Sequence, residues 1–80
     1  MTETIEQRVC NVLYTATPGG VREILPRMSL KVDLELDEEL VVEAIVDLED
    51  DFGIDIDDAE WEKVQTVGDV VALVTAKVDQ

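Results

Sequence analysis

Asp37-Glu38-Glu39-Leu40-Val41-Val42-Glu43-Ala44-Ile45-Val46-Asp47-Leu48-Glu49-Asp50-Asp51-Phe52-Gly53 is the stretch that decides the fold. Wound as a helix at about 100° per residue with Leu40 at zero, it separates into three strips. Leu40, Val41, Ala44, Ile45, Leu48 and Phe52 fill an arc from about 0° to about 140°, broad enough to face a core. Glu39, Glu43, Asp47 and Asp50 fill an arc from about 260° to about 340° and make an acidic stripe. Val42 and Val46 fall between, at about 200–240°, beside the carboxylates. Two readings fit these valines: the rim of the core, or the apolar part of a docking surface. Asp37 suits an N-cap, Glu38 and Glu39 suit a first turn where the helix dipole favours anions, and Gly53 is a stop signal. A helix over about 37–51 is predicted.

The same signals recur outward from this helix. Thr4-Ile5-Glu6-Gln7 fits a capping box, and Ile5, Val9, Val12, Leu13 and Ala16 recur at helical spacing, so a first helix over about 4–16 is predicted. Pro18-Gly19-Gly20 ends it. Residues 17–36 are a long connection pinned to the core by Val21, Ile24, Leu25, Leu30, Leu34 and Leu36, with room for a short helical turn at 21–25. Asp57 or Asp58 can cap a short third helix through Ala59–Lys63. Thr66-Val67-Gly68-Asp69 fits another capping box and opens a last helix through Val70, Val71, Leu73 and Val74 to about Lys77. No strand alternation and no internal repeat occurs. The expectation is one all-α domain over residues 1–80, a bundle of three main helices and one short one.

Composition narrows the function. Twenty acids against six bases give a net charge of −14, so nucleic acid and anionic membrane are repelled and a basic protein patch is the natural complement. The charge is concentrated: Asp33 to Glu62 holds fifteen acids and neither Lys nor Arg. No apolar run approaches a membrane span. The opening Met1-Thr2-Glu3-Thr4 has no basic region or apolar stretch, so no secretory signal is expected there. With one cysteine, Cys10, no internal disulfide can form, and a reducing cytoplasm is the simplest setting. A monomer is expected.

These segments together resemble bacterial fatty-acid acyl carrier proteins. Ile5-Glu6-Gln7-Arg8-Val9 resembles the family's opening helix, and Asp33-Leu34 followed by Asp37 resembles the approach to its carrier site. Val42-Glu43 and Leu48-Glu49-Asp50-Asp51-Phe52-Gly53 resemble its recognition helix. Ile54-Asp55-Ile56-Asp57-Asp58-Ala59-Glu60 and Val64-Gln65-Thr66-Val67-Gly68-Asp69 resemble its third helix and the start of its fourth. The resemblance implies the four-helix fold, acyl chains carried on phosphopantetheine, and enzymes that dock on the second helix. Asp37, Glu38, Glu39, Val42, Glu43, Val46, Asp47 and Asp50 are the residues it implicates in partner binding. The family's attachment residue is the serine of Asp-Ser-Leu. Glu38 stands there instead, and Glu39 stands where an apolar residue usually follows. A carboxylate cannot form the stable phosphodiester, so no phosphopantetheine and no other cofactor is expected. The expected function is a non-catalytic interaction protein of fatty-acid, lipid or polyketide-type biosynthesis. It would dock on a basic patch of an enzyme such as a ketosynthase.

Other chemistries fit less well. Ser29 is the only serine, followed by Leu30, but no helix start follows at the family's spacing and its surroundings are basic. A carrier with this cryptic attachment point, or with a non-covalent acyl ligand in the bundle, is one alternative. An acidic mimic that competes with a true carrier is another. An EF-hand begun at Asp47 would need glycine at its sixth position, where Phe52 stands, with Gly53 one place late. No specific metal site is expected, though a surface so acidic should attract divalent cations diffusely. The chain has no histidine, Cys10 has no candidate base, and Trp61 and Tyr14 read as structural, so no enzyme activity is expected.

Overall fold

The structure, a computed structural model, describes residues 4–17 and 23–79. Four helices appear in chain order: α1 Ile5–Ala16, α2 Glu38–Phe52, α3 Asp58–Trp61 and α4 Val67–Val78. Each start follows from its cap. Thr4 Oγ1 accepts from Gln7 N and Gln7 Oε1 accepts from Thr4 N, both at 3.1 Å, which closes the expected capping box. Asp37 Oδ1 accepts from Leu40 N at 2.9 Å. Thr66 Oγ1 accepts from Asp69 N at 3.2 Å while Asp69 Oδ2 accepts from Thr66 N at 3.1 Å. At the end of α2, Gly53 takes φ 65° and donates to Glu49 O at 2.8 Å, a left-handed cap that costs a glycine little.

The core gathers one stripe from each long helix: Val9, Leu13 and Ala16 of α1, Ala44 and Leu48 of α2, and Val67, Val70 and Val74 of α4. Ala44 and Leu48 are the innermost residues of α2, so the strip opposite them faces water. Val42 is 60% exposed and Val46 52% exposed, which rules out the rim-of-core reading of these two valines. Arg8 ties α1 to the end of α2. Its guanidinium donates to Asp51 O at 2.6 Å, pairs with Asp51 Oδ2 at 3.2 Å and lies 4.3 Å from the centre of the Phe52 ring. A cation there also faces the negative end of the α2 dipole.

The long connection is part of the core, as its leucines suggest. Leu30, Leu34 and Leu36 are buried. Glu35, between the last two, takes φ 52°, and this left-handed residue separates two neighbours that are both buried. Backbone bonds fasten the segment to the end of the α3–α4 connection and the start of α4: Leu30 N to Gln65 O and Val67 N to Met28 O at 3.0 Å each, and Gly68 N to Pro26 O at 2.8 Å. A Cβ on Gly68 would meet Pro26 O at 3.2 Å, so the close approach favours glycine. Pro18-Gly19-Gly20 and Val21 lie outside the described residues, and of the helical turn suggested at 21–25 the described part, 23–25, is not helical. The α3 helix is shorter than the expected run to Lys63. The bonds Lys63 N to Glu60 O and Val64 N to Trp61 O tighten the chain into a turn after Trp61.

Candidate functional site

The acids and valines singled out in the sequence all lie on the open side of α2. Asp37 is the exposed N-cap and Glu38 the first helical residue, also exposed. Glu39, Glu43, Asp47 and Asp50 are exposed and follow one another along the helix, with Val42 and Val46 beside them. Helical order gives this face its character: carboxylates at i, i+4 spacing repel one another and stay extended into water, while the valines offer apolar surface at fixed height. The EF-hand reading is excluded geometrically, because residues 47–52 are continuous helix.

The face divides into two neighbourhoods. Asp47, Asp50 and Asp51 border a shallow open groove with Val12 and Thr15 of α1. Asp37, Glu38 and Val42 instead border a half-open cleft of about 870 Å³ between the 29–36 segment, α2 and α3. Val41, Ile45, Leu36, Trp61 and Val64 give the cleft its apolar lining. Asp58 and Glu62 add two more carboxylates to its border, and Lys31 is the single cation in the lining. Ser29 and the 76% exposed Val32 also border it. Sequence reasoning did not place Trp61, Val32, Asp58 and Glu62 at this cleft. Their one signal was an isolated tryptophan flanked by acids in a segment too short to bury it.

Titration is perturbed away from this face. Glu60 is held below its ordinary value by its bond from Lys77 and by accepting Asp57 N, and Lys77 is raised by the same partner. Their ion pair, at 2.8 Å, joins α3 to α4 and so fixes one wall of the cleft. Asp69 is lowered by the backbone N–H groups of Gln65 and Thr66. Burial, and then Glu6, pushes the Cys10 thiol up, so at neutral pH it is protonated and a poor nucleophile. No group of three or more Cys, Asp or Glu side chains is disposed to hold a metal among the described residues. Among the same residues no helix is long and apolar enough to cross a membrane.

The arrangement is that of a small helical carrier-type bundle, which offers an acidic face and a cleft. Over 58 residues the chain is 48% identical to an acyl carrier protein of an Exiguobacterium species, a match that spans 72% of this chain and 73% of that protein. The chain belongs to the acyl carrier protein family. No family model matches it.

Proposed function

We propose that this chain is an armless acyl-carrier-like subunit. It docks through α2 on a basic patch of a biosynthetic enzyme of the fatty-acid, lipid or polyketide type, and it catalyses nothing itself. The observation that carries this reading is the pairing of two features on one helix. The first residue of α2 is a carboxylate, Glu38, while the rest of the exposed face keeps its acids and its two bare valines. Glu38 occupies the family's attachment position in this reading, and no phosphopantetheine is held there. Docking needs none of the missing chemistry. The acids steer a basic surface into register and Val42 and Val46 give the contact its apolar part. A cytoplasmic setting and a monomeric state go with the proposal.

A second reading has its own observation. Ser29 borders the same cleft as Glu38, which would place an arm on Ser29 near the family's usual position, and the cleft itself has room for an apolar chain. Incubation with a phosphopantetheinyl transferase and coenzyme A, followed by intact mass, separates the two. An unchanged mass is expected; a mass raised by the arm and abolished by Ser29→Ala would return the protein to the working carriers. Docking is tested by pull-down of a ketosynthase-type enzyme, with Glu43→Lys and Asp47→Lys combined. Undiminished capture by the reversed protein would sink the acidic-face reading.

A further inference from the structure

Two sulfur atoms hold the chain that leads into the 29–36 segment. Cys10 Sγ of α1 donates to Ile24 O at 3.8 Å. One residue on, Leu25 N donates to Met28 Sδ at 3.1 Å, and Met28 N donates back to Leu25 O at 3.0 Å. Met28 therefore closes the Leu25–Met28 turn from both ends. The start of α4 is fastened to this same turn, because Val67 N donates to Met28 O and Gly68 N donates to Pro26 O. The Met28 side chain is half-buried against the core, while its neighbours Pro26 and Arg27 are exposed.

The two sulfurs differ in reactivity. A thiol is oxidised through its thiolate, and Cys10 is held in the protonated form by burial and then by Glu6. A thioether has no proton to lose, so its lone pair is available to a peroxide throughout the neutral range.

We propose that Met28 is a reversible oxidation site for peroxides, and that its sulfoxide unlatches the Leu25–Met28 turn from the start of α4. In the step, a lone pair of Met28 Sδ attacks one oxygen of a hydroperoxide. An S–O bond forms as the O–O bond breaks, and the displaced oxygen takes a proton and leaves as water or an alcohol. Sulfur is oxidised by two electrons and the peroxide is reduced by two. The sulfoxide sulfur carries partial positive charge, so it no longer accepts from Leu25 N, and the new polar oxygen is ill placed among apolar neighbours. With the turn opened, the carbonyls of Pro26 and Met28 lose their fixed positions under Gly68 and Val67. The proposal is independent of what the α2 face docks on.

The full chain is treated with hydrogen peroxide at about pH 6, well below the range where a thiol ionises. Tandem mass mapping should find one added oxygen on Met28, read separately from Met1, the other methionine, with Cys10 unmodified. Amide exchange at Leu25, Val67 and Gly68 should quicken about fivefold or more, as the loss of one hydrogen bond predicts, while Leu48 in α2 stays unchanged. Methionine sulfoxide reductase should restore the original rates. Met28→Leu, close in volume, should show the same exchange before and after peroxide. A Met28 that resists peroxide in the folded chain, at a dose that oxidises it in urea, would overturn the proposal. So would a Met28 sulfoxide with unaltered exchange at these three amides, or an equal response to peroxide in Met28→Leu.

Discussion

Leu34→Ala tests whether the 29–36 segment is core or a strap laid over it. Leu34 is 1% exposed, and the chain leading to it is bonded to Gln65 at Leu30 and to the start of α4 at Met28 and Pro26. Such a frame leaves the neighbours little freedom to collapse into the space of a deleted side chain. Leucine-to-alanine changes at buried sites cost roughly 2–5 kcal/mol, and about 3 kcal/mol is expected here. A chain of this length has about 4–12 kcal/mol of total stability, so the loss removes a large fraction of it. At about 4–8 °C per kcal/mol for a domain this small, Tm should fall by roughly 12–24 °C. Urea unfolding followed by Trp61 fluorescence and far-UV circular dichroism is the assay, with coincident transitions as the check on two-state behaviour. Val32→Ala is the control. It lies two residues away and 76% exposed, and it should change stability by less than about 0.5 kcal/mol. A Leu34→Ala loss below about 1 kcal/mol, or no larger than the control's, would refute the packing argument.

Three further outcomes are expected. The stability gap between the wild type and Glu60→Gln should be full above about pH 5 and should shrink as pH falls through the lowered Glu60 value, because a depressed folded carboxyl contributes only while ionised; a gap that is constant from neutral pH to pH 3 contradicts the ion pair with Lys77. Tm should rise with modest salt and further with millimolar Mg²⁺, since the fifteen acids of residues 33–62 repel one another without a basic residue among them; a melt flat across both titrations refutes this. On the proposed armless reading, Glu38→Ser combined with Glu39→Leu should gain the mass of phosphopantetheine on incubation with a transferase and coenzyme A while the wild-type mass stays unchanged, and an unmodified double variant would refute the idea that these two residues alone block attachment.

Periodicity and caps made most of the fold legible. Thr4, Asp37 and Thr66 each mark a helix start because a short side-chain oxygen has a defined local partner within three residues. Gly53 marks an end for an equally local reason. Leu30, Leu34 and Leu36 announced that the connection is packed. What they could not announce was the route: it depends on bonds from Met28 and Leu30 to residues 65–67, far along the chain, and on a left-handed Glu35 that no local rule favours. The two valines were ambiguous for a similar reason. A helical wheel gives directions but not which direction faces inward most deeply, and only the position of Ala44 and Leu48 fixes that. The cleft was out of reach altogether, because its walls come from three separate segments.

A glutamate at the first position of α2 suits the helix, and the reason lies in where the residue sits. The first turn of a helix has unpaired N–H groups and the positive end of the dipole, so a carboxylate there is favoured by about 0.3–1 kcal/mol at low salt. Glu38 and Glu39 both occupy that turn, and both are exposed. The charge of residue 38 and the stability of the bundle are therefore separable, in a way they would not be at a buried position. The acidic stripe and the exposed valines lie further along the same helix and owe nothing to residue 38.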